Sequence, residues 1–428
     1  MNAIRNIVSY SLIAVLCASE QSFATIAKFS LVPTTPSTLE VPANRTAIVQ
    51  YTVTNQTKIT RTLTVVPMVG ISQQTDTAGL CSNPFTLASQ ASCLLNLVVN
   101  GSQLSTVSQG PKVCKTKTGT NLPDSLLCSQ ASDAFTLNLS VGSAIPATNQ
   151  NVYVTNWTAQ SISLCSANAA SGLLENCNIA AINGLFLNPD AIAVNAALTY
   201  LYVANIGGGV SLCQLNSLGT ISGCVSTGSG FNAPDGIALN AAGTRAYVSN
   251  ANLTTVSNCE ISPTTGALSS CTPTGTLAIG QSDLTLHPSL PILYVSNITT
   301  SGVTACAINA GTGDLTCGLT TLGFNQPEGV QLNPTGNVIY VSNKGDGTIS
   351  YCPVANDGSI TGASCATTSS GTFGGFGSLS FNSAGTLAYI PSSNTTVSIC
   401  SVENNGDLTN CTDSGGTGFA SPSGILVL

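Results

Sequence analysis

The chain predicts an all-β fold: a strand-rich N-terminal module followed by a six-bladed β-propeller of four-stranded blades, with one disulfide-closed hairpin per blade. Three observations predict it. A phrase of the form VIYVSN…ISYC recurs six times, and its tyrosines Tyr153, Tyr202, Tyr247, Tyr294, Tyr340 and Tyr389 are 45 to 49 residues apart. Each period holds four strand-like runs separated by turn residues, the plan of a blade that buries both faces against its neighbours. Two cysteines recur in the last two runs of every period.

Residues 1–24 carry Arg5, the apolar stretch IVSYSLIAVLCA and the small residues Ser22 and Ala24. This is the plan of a secretory signal peptide, and the mature chain is expected to begin near Thr25. Cys17 leaves with it, preceded by Leu16 rather than by the small residue a lipid-attachment site needs. The remaining 16 cysteines are an even number in an exported chain, which reads as eight disulfides formed in an oxidising compartment.

Only 6% of the residues are charged and the net charge is −7. No basic stripe exists to hold phosphates, so nucleic acid is excluded as a partner. After the N-terminus no apolar run approaches the roughly 18 residues of a membrane helix, so the mature chain is read as having no transmembrane segment.

From residue 25 to about 143 the strand patterns alternate, as in TAIVQYTVTN and RTLTVVPMV. The stretch LCSNPFTLASQASCLLNLVVNGS resembles bacterial immunoglobulin-like domains of the HYDIN and choice-of-anchor type, over roughly Lys28 to Gly101. The resemblance implies a β-sandwich with Cys81 joined to Cys93. Beyond it, Cys114 and Cys128 are read as holding an added loop that carries Lys112, Lys115 and Lys117. These lysines read either as a solvated tip or as a docking point for an anionic partner.

Residues 144–428 form the repeat. The phrase NVYVTN enters it as the second strand of a blade, and PSGILVL is a first strand, so the last strand is expected to complete the first blade. The pairs Cys165 and Cys177, Cys213 and Cys224, Cys259 and Cys271, Cys306 and Cys317, Cys352 and Cys365, Cys400 and Cys411 flank turns such as INAGTGDL, rich in Gly, Asn and Asp. Each pair faces across one outer hairpin, as a disulfide requires. Zinc and iron–sulfur sites want CxxC spacing or histidine partners, and the chain has one histidine.

The stretches APDGIALNAAGTRAYVSN and QPEGVQLNPTGNVIYVSN resemble the YVTN family of propeller repeats, which overlaps the lactonase-like and NHL propellers. The resemblance covers about Asn151 to Leu428. It implies the propeller fold, and by itself it implies no single activity, since such repeats serve enzymes, surface-layer proteins and scaffolds alike. Lactonase-like enzymes gather His, Arg and acidic groups at the channel mouth. Here His287 stands where other repeats carry Asn240 or Asn333 and reads as a turn residue, while Arg245, the one arginine of the propeller region, sits in a hairpin. No nucleophile and base pair is evident, so no catalytic residue is assigned.

A site is expected where equivalent positions meet around the channel. The residue taken to precede the innermost strand runs Asp190, Asp235, Ser282, Glu328, Gly377, Ser423. The acids read either as a hard-cation or polar-ligand site suited to Ca²⁺ or as turn formers. The asparagines ending the second strands, Asn156, Asn205, Asn250, Asn297 and Asn343, read as local turn residues, as does Asp346 in KGDGTIS. Trp157 and Lys115 are candidate contacts. The sequence thus points to a monomeric, cofactor-free exported scaffold, periplasmic or extracellular in a Gram-negative bacterium, that binds a protein or glycan. The alternative is a lactonase-like, metal-dependent hydrolase acting at the acidic mouth.

Overall fold

The computed structural model describes residues 28–75, 79–144, 149–182, 184–374, 377–392 and 395–428, with the side chain of residue 319 left aside. The expected signal peptide, with Cys17, and the expected mature start near Thr25 lie outside them.

The N-terminal strands form two four-stranded sheets that enclose one core. One sheet holds Phe29–Pro33, Thr46–Asn55, Ser92–Asn100 and Ile71–Gln74; the other holds Phe85–Leu87, Arg61–Val65, Lys112–Thr116 and Pro123–Gln130. Phe29, Tyr51, Val53, Leu95 and Leu97 from the first meet Leu63, Phe85 and Val113 from the second. Cys81 is bonded to Cys93, and Cys114 to Cys128. The second pair corrects the reading of an added loop: Cys114 and Cys128 are cross-strand partners inside the second sheet, and Lys112 and Lys115 lie on one of its strands. Alternation across this strand was hidden by the lysines, which interrupt its apolar pattern.

Thr38–Pro42 and Asn138–Gly142 add a two-stranded parallel sheet, and the strands from Gln150 onward form six four-stranded sheets. The first is completed by the C-terminal strand Pro422–Val427, which pairs antiparallel with Gln150–Asn156. The other five run in chain order from their innermost strands, Pro189–Val194, Pro234–Leu239, Gln281–Leu286, Pro327–Leu332 and Ser380–Phe381. We number these sheets as blades 1 to 6.

The phrase YVSN packs this ring because successive side chains of a strand face opposite ways. In blade 2, Leu201 and Val203 pack with Tyr153 and Ile162 of blade 1, whereas Tyr202 and Ala204 pack with Ala246 and Val248 of blade 3. The pattern continues around the ring, and Tyr389 and Ile399 of blade 6 close on Val152 and Val154 of blade 1. One apolar cluster therefore fills each joint.

The tyrosines add a directional bond at every joint. Tyr153 Oη donates to the Gly219 carbonyl at 2.6 Å, Tyr202 to Gly266 at 2.6 Å, Tyr247 to Gly313 at 2.9 Å, Tyr294 to Gly358 at 2.6 Å and Tyr340 to Gly406 at 2.8 Å. Tyr389 reaches Gly172 of blade 1 at 2.7 Å and closes the circuit. Each acceptor is a glycine at the tip of the next blade's outer hairpin, held at positive φ, where a side chain would be strained. Burial pushes the hydroxyls up, to about 12 for Tyr202, Tyr294 and Tyr389, so they remain donors.

The same outer hairpins carry the six expected disulfides. Cys365 follows a short 3-10 turn and stands just before the two-residue strand Ala366–Thr367, so in blade 5 it lies outside the fourth strand where the repeat had placed it. Each closed hairpin restricts the unfolded chain by roughly 3 kcal/mol.

Candidate functional site at the channel mouth

At one end of the channel the inner strands nearly touch. A Cβ on Gly236 would lie 2.8 Å from the Leu284 nitrogen, and one on Gly329 would lie 2.6 Å from the Gly377 carbonyl. The P-x-G phrase therefore puts glycine where one inner strand crosses the next. Asp190, Asp235, Ser282, Glu328 and Ser423 occupy the second position of these strands rather than the residue ahead of them. The bulge that follows brings their side chains to the mouth.

Hydroxyls two residues after the repeat tyrosines hold this backbone in place. Thr155 Oγ1 donates to the Asp190 carbonyl at 2.7 Å, Ser296 Oγ to the Glu328 carbonyl at 2.7 Å and Ser342 Oγ to the Gly377 carbonyl at 3.1 Å. Ser249 does the same for Ser282. Ala204 and Pro391 stand at the two remaining joints.

Four mouth residues form one hydrogen-bonded arc across blades 1 to 4. Ser423 donates to Asp190 Oδ1, Asp190 and Asp235 share a carboxyl hydrogen bond, and Ser282 Oγ donates to Asp235 Oδ2 at 3.2 Å. Asp190 and Asp235 are 6% and 7% exposed. Burial pushes both carboxyls up. On Asp235 the Asp190 charge and hydrogen bond push further in the same direction.

Two further residues at the mouth were missed by the sequence reading. Asp283 occupies the place of the P-x-G glycine in blade 4, and its Oδ2 accepts the Val330 N–H of blade 5 at 3.1 Å. Burial raises it to about 6, against hydrogen bonds from Ser378, Val330 and Leu284 that favour the anion. Lys344 donates to Glu328 Oε1 at 2.9 Å. Burial and the Asp190 charge still push Glu328 up to about 7, and its buried Oε2 has no hydrogen-bond partner among the described residues. A usable signal existed for both, since Asp283 and Lys344 are rare charges within a propeller whose only cations are Lys344 and Arg245.

Behind the mouth the channel encloses about 260 Å³, lined by apolar residues such as Ala193, Ile237 and Leu284, with Asp283, Ser378 and Gln331 supplying polarity. Chemically the mouth is a cluster of buried acids in which Glu328, pushed up to about 7, stands beside Lys344. Glu328 with Lys344 can exchange a proton and polarise a carbonyl. Among the described residues no three His, Cys, Asp or Glu side chains converge as a metal-binding set.

The other sequence candidates lie elsewhere. His287 Nδ1 accepts the N–H groups of Ser289 at 3.2 Å and Leu290 at 3.0 Å. In blade 3, Asn240 Oδ1 likewise accepts those of Thr244 and Arg245, so the imidazole replaces an asparagine turn cap. His287, Arg245 and Glu260 line a larger cavity of about 660 Å³ between blades 3 and 4, built from the turns on the opposite face of the ring. The asparagines bond their own turns and reach beyond them: Asn156 Nδ2 donates to Ser161 and Ser163 while its Oδ1 accepts the Ala420 N–H, and Asn343 Nδ2 donates to Thr348 and Ser350 while its Oδ1 accepts the Asn325 N–H, so the reading of purely local turn residues is too narrow. Asp346 caps its own turn through Thr348, and that side-chain hydrogen bond holds its carboxyl below the usual range. Trp157 is half-buried beside the blade 1 seam, its backbone N–H donating to the Ser421 carbonyl at 3.0 Å. Lys115 is half-buried in the N-terminal module.

Residues 225–372 match the family model described as Lactonase, 7-bladed beta-propeller. The chain carries a lactonase-like propeller. Its six four-stranded sheets differ from the seven blades in that family's description. No curated relative matches the chain. Among solved structures, the periplasmic gluconolactonase PpgL of Pseudomonas aeruginosa aligns at 13% identity and a TM-score of 0.48, over 65% of this chain and 99% of that one. A protein from Lactobacillus plantarum aligns at 15% identity and 0.47, over 65% and 99%. A chain of a nidogen/laminin complex aligns at 10% and 0.50, over 65% and 98%. Of these, the alignment at 0.50 bears on the fold alone.

Proposed function

We propose that the protein is an exported scaffold, an immunoglobulin-like module joined to a six-bladed lactonase-like propeller, that holds a protein or glycan partner at the cell envelope or outside the cell. The observation that carries this reading is the state of the mouth. Asp190, Asp235 and Asp283 are each tied to a serine hydroxyl or a backbone N–H of a neighbouring blade, so they serve as joints between strands. Eight disulfides support life in an oxidising compartment. Tyrosine bonds at all six joints support a rigid presenting surface.

One observation favours a second reading, a lactone hydrolase. Glu328, raised to about 7 beside Lys344, is poised as a general base at the mouth of a lactonase-like propeller. A divalent cation among the acids would belong to this reading.

The oxidised mature protein should be tested on an array of glycans and envelope proteins, and in parallel on small sugar lactones between pH 5 and 8. Saturable binding without turnover is the expected result. Lactone turnover that disappears in Glu328→Gln would overturn the scaffold reading in favour of the hydrolase.

A further inference from the structure

Charge is divided between the two parts of the chain. Residues 25–143 carry seven Lys and Arg against four Asp and Glu, whereas residues 144–428 carry two against twelve. The module is basic and the propeller acidic.

Most of the module's cations meet at the end farthest from the propeller. The other end packs on the ring, where Asn96 Nδ2 donates to the Ile182 carbonyl at 3.0 Å and Arg45 Nη2 to Asn151 Oδ1 at 2.5 Å. Thr46 begins its strand at that packed end and Asn55 finishes it at the free end. Phe29 pairs with Asn55, and the Gln56 N–H reaches the Lys28 carbonyl, which sets Lys28 beside the turn that carries Lys58 and Ile59. Arg61 follows that turn. Because Leu63 pairs with Lys115, the antiparallel register puts Lys117 opposite Arg61. The Lys117 N–H is bonded to the Leu122 carbonyl across the hairpin tip.

The tip thus combines Lys28, Lys58, Arg61, Lys115 and Lys117 with open aliphatic side chains. Ile59 is 54% exposed, Leu122 64% and Leu126 93%. None of these cations forms an ion pair among the described residues. The acid on the hairpin, Asp124, is turned back on its own strand, where its Oδ1 accepts the Leu126 N–H at 3.1 Å.

We infer that this tip docks on an anionic lipid surface, beyond the protein or glycan binding proposed above. Cations attract the headgroups and the exposed aliphatic groups enter the acyl boundary. A protein partner is disfavoured by the apolar groups, since the apolar anchors of interfaces are enriched in Trp and Tyr while Leu is under-represented, and among the described residues the apolar groups open at the tip are Ile59, Leu122 and Leu126. Docked in this way, the module would hold the acidic propeller away from a surface that repels it.

The test is co-sedimentation of the oxidised full chain with vesicles of phosphatidylcholine alone or with about a third phosphatidylglycerol. Binding is expected only with phosphatidylglycerol, falling as salt rises. Each lysine near the surface contributes roughly fivefold to partitioning, so Lys58→Gln, Lys115→Gln and Lys117→Gln together should weaken it roughly 100-fold. Leu122→Ser with Leu126→Ser should weaken binding while leaving its salt dependence intact. All variants should melt as the parent does. Equal binding to both vesicle types, or binding unaffected by the lysine changes, would overturn the inference. So would binding of polyglutamate, reduced by the same lysine changes, in a protein that ignores vesicles; that outcome assigns the tip to an acidic polypeptide.

Discussion

Replacing Asp283 by asparagine should stabilise the protein at pH 8 and leave it unchanged at pH 4. Asp283 is 8% exposed and is raised from 3.8 to about 6, so the folded chain binds this proton more tightly than the unfolded chain does. Its contribution to stability is therefore fully present below pH 3.8 and is lost as pH rises through about 6. The difference corresponds to roughly 3 kcal/mol at pH 8. Asparagine keeps an oxygen to accept the Val330 N–H and carries no charge to desolvate. At 2–4 °C per kcal/mol for a domain of this order, Asp283→Asn should raise Tm by about 6–12 °C at pH 8.

The assay is thermal melting of parent and variant at pH 4, 6 and 8, with the two curves subtracted at each pH. Subtraction removes the exposed carboxyls, Asp346 among them, whose depressed values give the opposite slope. A difference that is zero at pH 4 and grows through pH 6 is expected. A variant less stable than the parent at pH 8, or a difference independent of pH, would show that the carboxylate is compensated where it stands and refute the reasoning.

Glu328→Gln should behave similarly over a higher window, since Glu328 is raised from 4.5 to about 7; the same melts check it. Tyr389→Phe leaves the buried Gly172 carbonyl without its donor at the joint between blades 6 and 1, and should cost about 1–3 kcal/mol in denaturant unfolding. Reducing agent should lower Tm steeply, and thiol titration of the unreduced mature protein should find no free cysteine; 16 reactive thiols would refute the hairpin pairing. Chelation by EDTA should leave Tm unchanged on the scaffold reading, and a fall would place a cation among the mouth acids. His287→Asn should restore the asparagine turn cap and alter stability by less than about 0.5 kcal/mol in the same unfolding assay.

What the sequence made legible is what repeats. The tyrosine period and the cysteine pairs lie within one blade or recur at a fixed step, so spacing alone exposes them. The tyrosines' bonding partners do not, because the acceptor is a glycine carbonyl 64 to 66 residues away along the chain for the first five joints, and 217 away at the last. That partner exists only once the ring closes. Lys112 and Lys115 misled for the opposite reason: their charge suggested a loop where long-range pairing with Thr64 and its neighbours makes a strand.

The mouth shows how departures from a repeat carry information that the consensus hides. Aligning the motif puts Ser282 in register with Asp235 and so assigns the acidic position of blade 4 to a serine, whereas the carboxylate stands one residue on, in a place shaped for glycine. Gly236 and Gly329 occupy that place because the neighbouring inner strand leaves no room for a side chain. Asp283 can stand there because its side chain reaches blade 5, where its carboxylate takes the Val330 N–H, and Ser378 of blade 6 adds a further hydrogen bond. A charge in a glycine position is therefore a stronger pointer to the channel than an acid after proline, which the turn alone can explain.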